Sequence, residues 1–160
     1  MSMTEQEKNA AFAPIIHTRR GVCQIAGLDD GDEVTLRFRT HELDLLEQRR
    51  GCSVLSMLDE KGLGIGFLKD ALIVGSAHMF KGSKKRGSLT ETRVSSWIDN
   101  SEEKAGIEFD DLLGAVVRCV VGGLPNGKKM LDAMDEEQER AKQEAAGEID
   151  VTPKRVAASS

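Results

Sequence analysis

Two hydrophobic periods follow one another along this chain. From Glu33 to Arg39 the period is two: Val34, Leu36 and Phe38 point one way, and Glu33, Thr35, Arg37 and Arg39 the other. That alternation predicts a strand with one face buried and one face wet. Upstream, Val22, Gln24 and Ala26 alternate with Cys23 and Ile25, which predicts a partner strand whose inward face stays open. Asp30-Gly31 lies between the two runs, and glycine reaches the positive φ of a tight hairpin turn without a steric penalty. From Thr40 onward the period becomes helical. Leu43 and Leu46, with Leu45 as a further candidate, form a buried stripe, and the Thr40 hydroxyl is placed to cap the helix start. Gly51 ends this helix, and Ser53 can cap a short one carrying Val54, Leu55, Met57 and Leu58. Phe67, Leu68, Ala71, Leu72, Gly75 and Met79 recur at helical spacing. Leu89-Thr90 opens a helix with Glu91, Val94, Trp97 and Ile98. The strongest signal comes last: Phe109, Leu112, Leu113, Val116, Val117, Val120, Val121 and Leu124 follow the i, i+3, i+4, i+7 pattern.

The ends differ from this middle. Residues 1–16 are polar and alanine-rich and are expected to form a flexible arm, leaving 17–124 as the ordered domain. After Pro125 the composition turns to Glu, Lys, Gln and Ala, so 125–160 is expected to be a charged helical or disordered tail whose last stretch, IDVTPKRVAASS, is loose. The fold class is therefore α+β and mainly α: an N-terminal antiparallel β-hairpin, then a small bundle of four or five short helices, with flexible termini. No strand–helix–strand alternation is present to build a parallel sheet.

Composition narrows the function. With five Phe, one Trp and no Tyr among 160 residues, Leu, Val, Ile and Met must fill the core. A formal net charge of −5 disfavours a duplex-DNA binder, which needs clustered positive charge. No apolar run approaches the roughly 18 residues of a membrane span, and the early carboxylates argue against a signal peptide. Cys23, Cys52 and Cys119 are odd in number and widely spaced, which suits free thiols in a reducing cytoplasm.

Several segments imitate functional motifs. Gly122-x-x-x-x-Gly127-Lys128 has most of a phosphate-cradling loop, but the preceding valines belong to a helical stripe and Lys129 stands where a Mg²⁺-binding hydroxyl is required. The plainer expectation is a helix end: Gly122-Gly123 leaving through a left-handed cap, and Pro125 blocking continuation. Gly62, Gly64 and Gly66 lack the spacing of a dinucleotide fingerprint and fit a helix connection. His17, His41 and His78 are scattered, without zinc-ligand spacing. A pairing of His78 with Cys52 or Cys119 is a possible nucleophile–base arrangement, with no glycine-framed elbow to support it. Lys81, Lys84, Lys85 and Arg86 form a basic cluster whose alternatives are phosphate contact and a solvated loop. Met130, Leu131 and Met134 open the charged tail; they form either an adaptable docking stripe for a protein partner or the face by which the tail folds back. No residue set is assigned as catalytic, metal-binding or cofactor-binding.

VTLRFRTHELDLLEQRRGCSVLSMLDEKG resembles the start of phage tail assembly chaperones, in the branch also found in gene transfer agents. The family opens with a β-hairpin, then a Leu-Leu-Glu helix, a glycine and a Ser-containing short amphipathic helix. Leu45-Leu46-Glu47, Gly51 and Ser53-Val54-Leu55 hold those places here. GFLKDALIVGSAHMF resembles the next helix, and TETRVSSWIDN and FDDLLGAVVRCVVGGLP the last two. The resemblance spans roughly residues 20–125 and departs from the family in the basic KGSKKRGS loop and the glycine-rich GLGIG connector. It implies a non-enzymatic protein of the bacterial host cytoplasm that binds the tape measure protein, with the tail tube protein as a further candidate partner, during tail assembly. It implies no cofactor, small-molecule substrate or membrane, and leaves the oligomeric state open. Two alternatives are another small phage tail structural or completion protein, and a small helical nucleic-acid-binding regulator acting through Lys84, Lys85 and Arg86.

Overall fold

The computed structural model describes residues 14–59, 63–82 and 87–159, with side chains described through residue 145. Three strands, β1 (Ile15–Arg19), β2 (Val22–Asp29) and β3 (Asp32–Arg37), form one antiparallel sheet in the order β1-β2-β3. The β2–β3 turn forms at the expected place: Asp29 pairs with Asp32, while Asp30 and Gly31 take φ of 49° and 94°. Two successive positive φ values give a hairpin turn whose twist matches the flanking strands. The register sets Cys23 opposite Leu36 and Ile25 opposite Val34. All four side chains are fully buried, which settles the inward face of β2 in favour of Cys23 and Ile25.

Six helices follow among the described residues: α1 (Thr40–Arg50), α2 (Val54–Met57), α3 (Ile65–Phe80), α4 (Glu91–Glu103), α5 (Phe109–Gly123) and α6 (Gly127–Ser159). Helices α3, α4 and α5 lay their stripes over the inner face of the sheet and α1 packs on α3 and α5, all in one core where Trp97, Phe38 and Phe67 are the largest fully buried side chains. Each large apolar side chain so buried contributes about 2–3 kcal/mol. Helix α3 crosses β3 closely because Gly75 has no Cβ: one placed there would stand 2.7 Å from the Phe38 ring.

A buried carboxylate fastens β2 to α4. Asp29 accepts from Arg93 Nε at 3.1 Å and Nη2 at 2.7 Å, and from Trp97 Nε1 at 2.9 Å. The Arg93 guanidinium in turn lies 4.6 Å from the centre of the Phe80 ring, which stacks on Trp97. The low dielectric around Asp29 is tolerable because both oxygens have donors.

The fold departs from the sequence expectation in four places. Ile15 and Ile16, placed in the flexible arm, belong to β1, so the hairpin is a three-stranded sheet. Helix α1 is capped by Arg39 and not by Thr40; the buried Glu42 carboxylate accepts from the Arg39 N–H at 3.0 Å, so the helix gains its first-turn partner from inside. Leu45, a candidate for the buried stripe of α1, is exposed instead. The fourth difference, at Gly122-Gly123, bears on the site.

Candidate functional site

The Leu-Leu-Glu…Gly…Ser segment can be explained residue by residue. Gly51 closes α1 at φ 74°, with its N–H donating to the Glu47 carbonyl. The Ser53 hydroxyl accepts from Ser56 N at 3.2 Å, and the Glu47 carboxylate reaches across to accept from Val54 N at 2.7 Å. Two orphan donors at the start of α2 are thereby satisfied. Leu46 is fully buried in the core. Arg49 and Arg50 then bind Asp70 of α3 at 2.6 and 3.0 Å, and Arg49 also reaches Glu91 of α4.

Leu45 has no such internal task. It is 37% exposed and lines a groove of about 430 Å³ between α1 and α3, with Ile73, Val74 and Ala77 of α3 and with Gln48 and Arg49 at the polar rim. Leu55 and Ile65, at 63% and 61%, are also exposed on α2 and at the start of α3. An apolar groove between two helices with a polar rim is the form that accepts an amphipathic helix. The sequence offered Leu45 as a further member of the buried stripe, and the structure leaves it exposed. Leu45 lies at the edge of the stripe set by Leu43 and Leu46, as Ile73 flanks the inward stripe of α3, so both positions sit where a helix face turns from core to solvent.

The glycines of GGLPNGK serve close packing. Gly122 and Gly123 lie inside α5 without positive φ, and the chain leaves through an extended Leu124, so the expected left-handed cap is absent. A Cβ on Gly123 would collide with the Phe38 carbonyl oxygen, and one on Gly127 with the Val121 and Gly122 carbonyls. Gly21, in the β1–β2 turn, packs against the same end of α5. The valines ahead of these glycines are helical, which removes the strand that a phosphate-binding loop requires.

This tight corner brings distant cations together. His17, Arg19 and Arg20 from the first hairpin, Arg118 from α5 and Lys128 from α6 line one cleft of about 310 Å³, with Cys119, Gly122 and Leu131 among its remaining lining residues. Arg118 is held by Asp135 through two bonds of 2.8 and 3.2 Å. That pair lowers the Asp135 carboxyl below its usual range, and burial, aided by the Arg118 charge, lowers the His17 imidazole.

The remaining sequence candidates fall elsewhere. Cys52 is exposed at the α1–α2 turn. Cys119 is buried against Cys23, and their hydrogen bond, with burial, pushes the Cys119 thiol far upward, away from a reactive thiolate. His78 faces Arg37 and Glu42, and burial followed by the Arg37 charge lowers it. His41 is an exposed residue of the first turn of α1. Gly64 caps α3 and Gly66 lies in its first turn, while Gly62 is outside the described residues. Lys81 is exposed; Lys84, Lys85 and Arg86 lie outside the described residues. Met130, Leu131 and Met134 are each half-buried, with Leu131 against Gly122; from residue 135 to 145 every side chain of α6 is exposed. Among the described residues, no group of three or more His, Cys, Asp or Glu could hold a metal, and no helix is long and apolar enough to cross a membrane. Comparison with protein-family models, with curated proteins and with solved structures finds no match to this chain.

Proposed function

We propose that this protein is a non-catalytic chaperone of phage or gene-transfer-agent tail assembly, which shields an apolar helical segment of a tape measure protein in the groove between α1 and α3. One observation carries the reading. Of the residues that bear the family resemblance in α1, Leu46 and Glu47 are consumed by the core and the α2 cap, whereas Leu45 stands half in solvent beside Ile73 and Ala77. Exposing that side chain contributes nothing to folding, and a groove for a partner gives it a use. The capped α1–α2 junction and the Arg49–Asp70 and Arg50–Asp70 pairs hold both walls of the groove in place, so little ordering is left for the moment of binding. An acidic chain whose α6 side chains are exposed from residue 135 to 145 also keeps an aggregation-prone partner dispersed.

Co-expression with the tape measure protein of the same genome tests this. The partner is expected to move from the pellet to a soluble complex, and Leu45→Asp is expected to return it to the pellet while leaving the melting temperature of the chaperone unchanged. A tape measure protein that stays insoluble with the wild-type chain contradicts the reading.

A further inference from the structure

The cleft at the α5–α6 corner is separate from the α1–α3 groove and is not needed for the proposed chaperone role. In a chain of formal net charge −5, four permanent cations from three parts of the sequence converge on it, and none of its lining residues is a carboxylate. Among the described residues Arg19, Arg20 and Lys128 form no ion pair, and the sole carboxylate bonded to Arg118 is Asp135, reached from α6. Gathering like charges costs Coulomb energy that folding does not recover. The gathering is enforced by backbone: Gly21 and Gly123 both press on the Phe38 carbonyl, and Gly127 presses on the end of α5. The first turn of α6 also lines the cleft and adds the positive end of its dipole. The volume, about 310 Å³, suits a small molecule, and Leu131 and Gly122 offer an apolar surface beside the charges.

We infer that this cleft binds a small phosphate-bearing molecule, with Arg19, Arg20, Arg118 and Lys128 as its ligands. Arginine forks and a lysine at a helix start match the oxygens of a phosphate or diphosphate. The Asp135 carboxylate acts as a place-holder that keeps Arg118 aimed until an incoming phosphate shares it. The cleft works without the strand-based loop that the GxxxxGK spacing imitates: Lys128 takes part because α6 begins there.

The test is a titration of the full chain, followed by amide NMR shifts in low-salt buffer, with inorganic pyrophosphate as the first probe. Saturable shifts at Arg20, Gly21, Lys128 and Leu131 are expected. Arg20→Ser and Lys128→Gln, both exposed and, among the described residues, in no ion pair, are each expected to weaken binding about tenfold, and their combination to abolish it, while Lys104→Gln has no effect. ADP binding as tightly as pyrophosphate, or more tightly, supports the assignment; the second result adds the apolar floor to the site. Three results overturn it: no saturable shift, unchanged affinity in the double variant, or shifts produced only by oligothymidylate and growing with its length, which would make the cleft a track for nucleic-acid backbone.

Discussion

The α1–α2 junction and the α5–α6 corner are built by opposite means. The junction is polar work: Glu47 and Ser53 each accept a backbone N–H, and Gly51 contributes a left-handed φ. The corner is steric work: Gly122, Gly123 and Gly127 take ordinary helical or turn conformations, and their use lies in the missing Cβ. Both segments read as motifs in the sequence, and in both most of the letters are spent on holding backbone in place. What remains after that subtraction, Leu45 in one region and Lys128 in the other, is exposed and belongs to the two proposed sites.

The contrast can be broken by substitution. Gly123→Ala should be the most damaging, at about 3 kcal/mol or more, because the new methyl must displace the Phe38 carbonyl and with it the end of β3; urea midpoints at constant m-value measure it. Gly114→Ala is the matched control in the same helix. A Cβ there meets nothing within 4 Å, so a gain of about 0.5–1 kcal/mol is expected. Loss on both substitutions would mean that helix α5 dislikes alanine in general and that the corner is not special.

Asp29→Ala should cost about 2–3 kcal/mol, since Trp97 Nε1 loses its partner and the Arg93 guanidinium its bidentate anchor. Ser53→Ala should cost about 1 kcal/mol, the usual value of a lost N-cap. The smallest effect concerns pH. The His78 imidazole is held below its usual value, 6.5, by burial and Arg37, so the unfolded chain binds the proton more readily. Its contribution is present above pH 6.5 and is lost as pH falls through that value toward the lower folded one. A His78→Gln variant should therefore show a flatter decline in urea midpoint below pH 6.5 than the wild type.

Much of the fold was legible because its stripes are regular. Val34, Leu36 and Phe38, and the α5 run from Leu112 to Val120, declare their faces by period alone. Strand β1 was lost because Pro14 and a polar arm precede only five residues, although Ile15-Ile16 followed by Arg20-Gly21 has the composition of a strand and turn. The Thr40 cap was misplaced because Glu42 reaches back to Arg39, an interaction that spacing alone does not rank above a hydroxyl. The left-handed reading of Gly122-Gly123 failed for a deeper reason. A glycine needed for φ and a glycine needed for close approach are written with the same letter, and the neighbour that forbids the Cβ, Phe38, is some 85 residues away. The two surfaces follow the same rule. Leu45 and Ile73, or Arg20 and Lys128, are unremarkable singly and become a groove or a cleft only when tertiary packing sets them side by side.

The most direct measurement of the proposed role is amide hydrogen exchange of the chain alone and in complex with the tape measure protein. Slower exchange confined to α1 and α3, around residues 45–49 and 73–77, is the expected outcome, with α5 and the start of α6 unchanged. Protection that appears only at the α5–α6 corner, or none in either region, would contradict the assignment of the α1–α3 groove as the place where the partner is held.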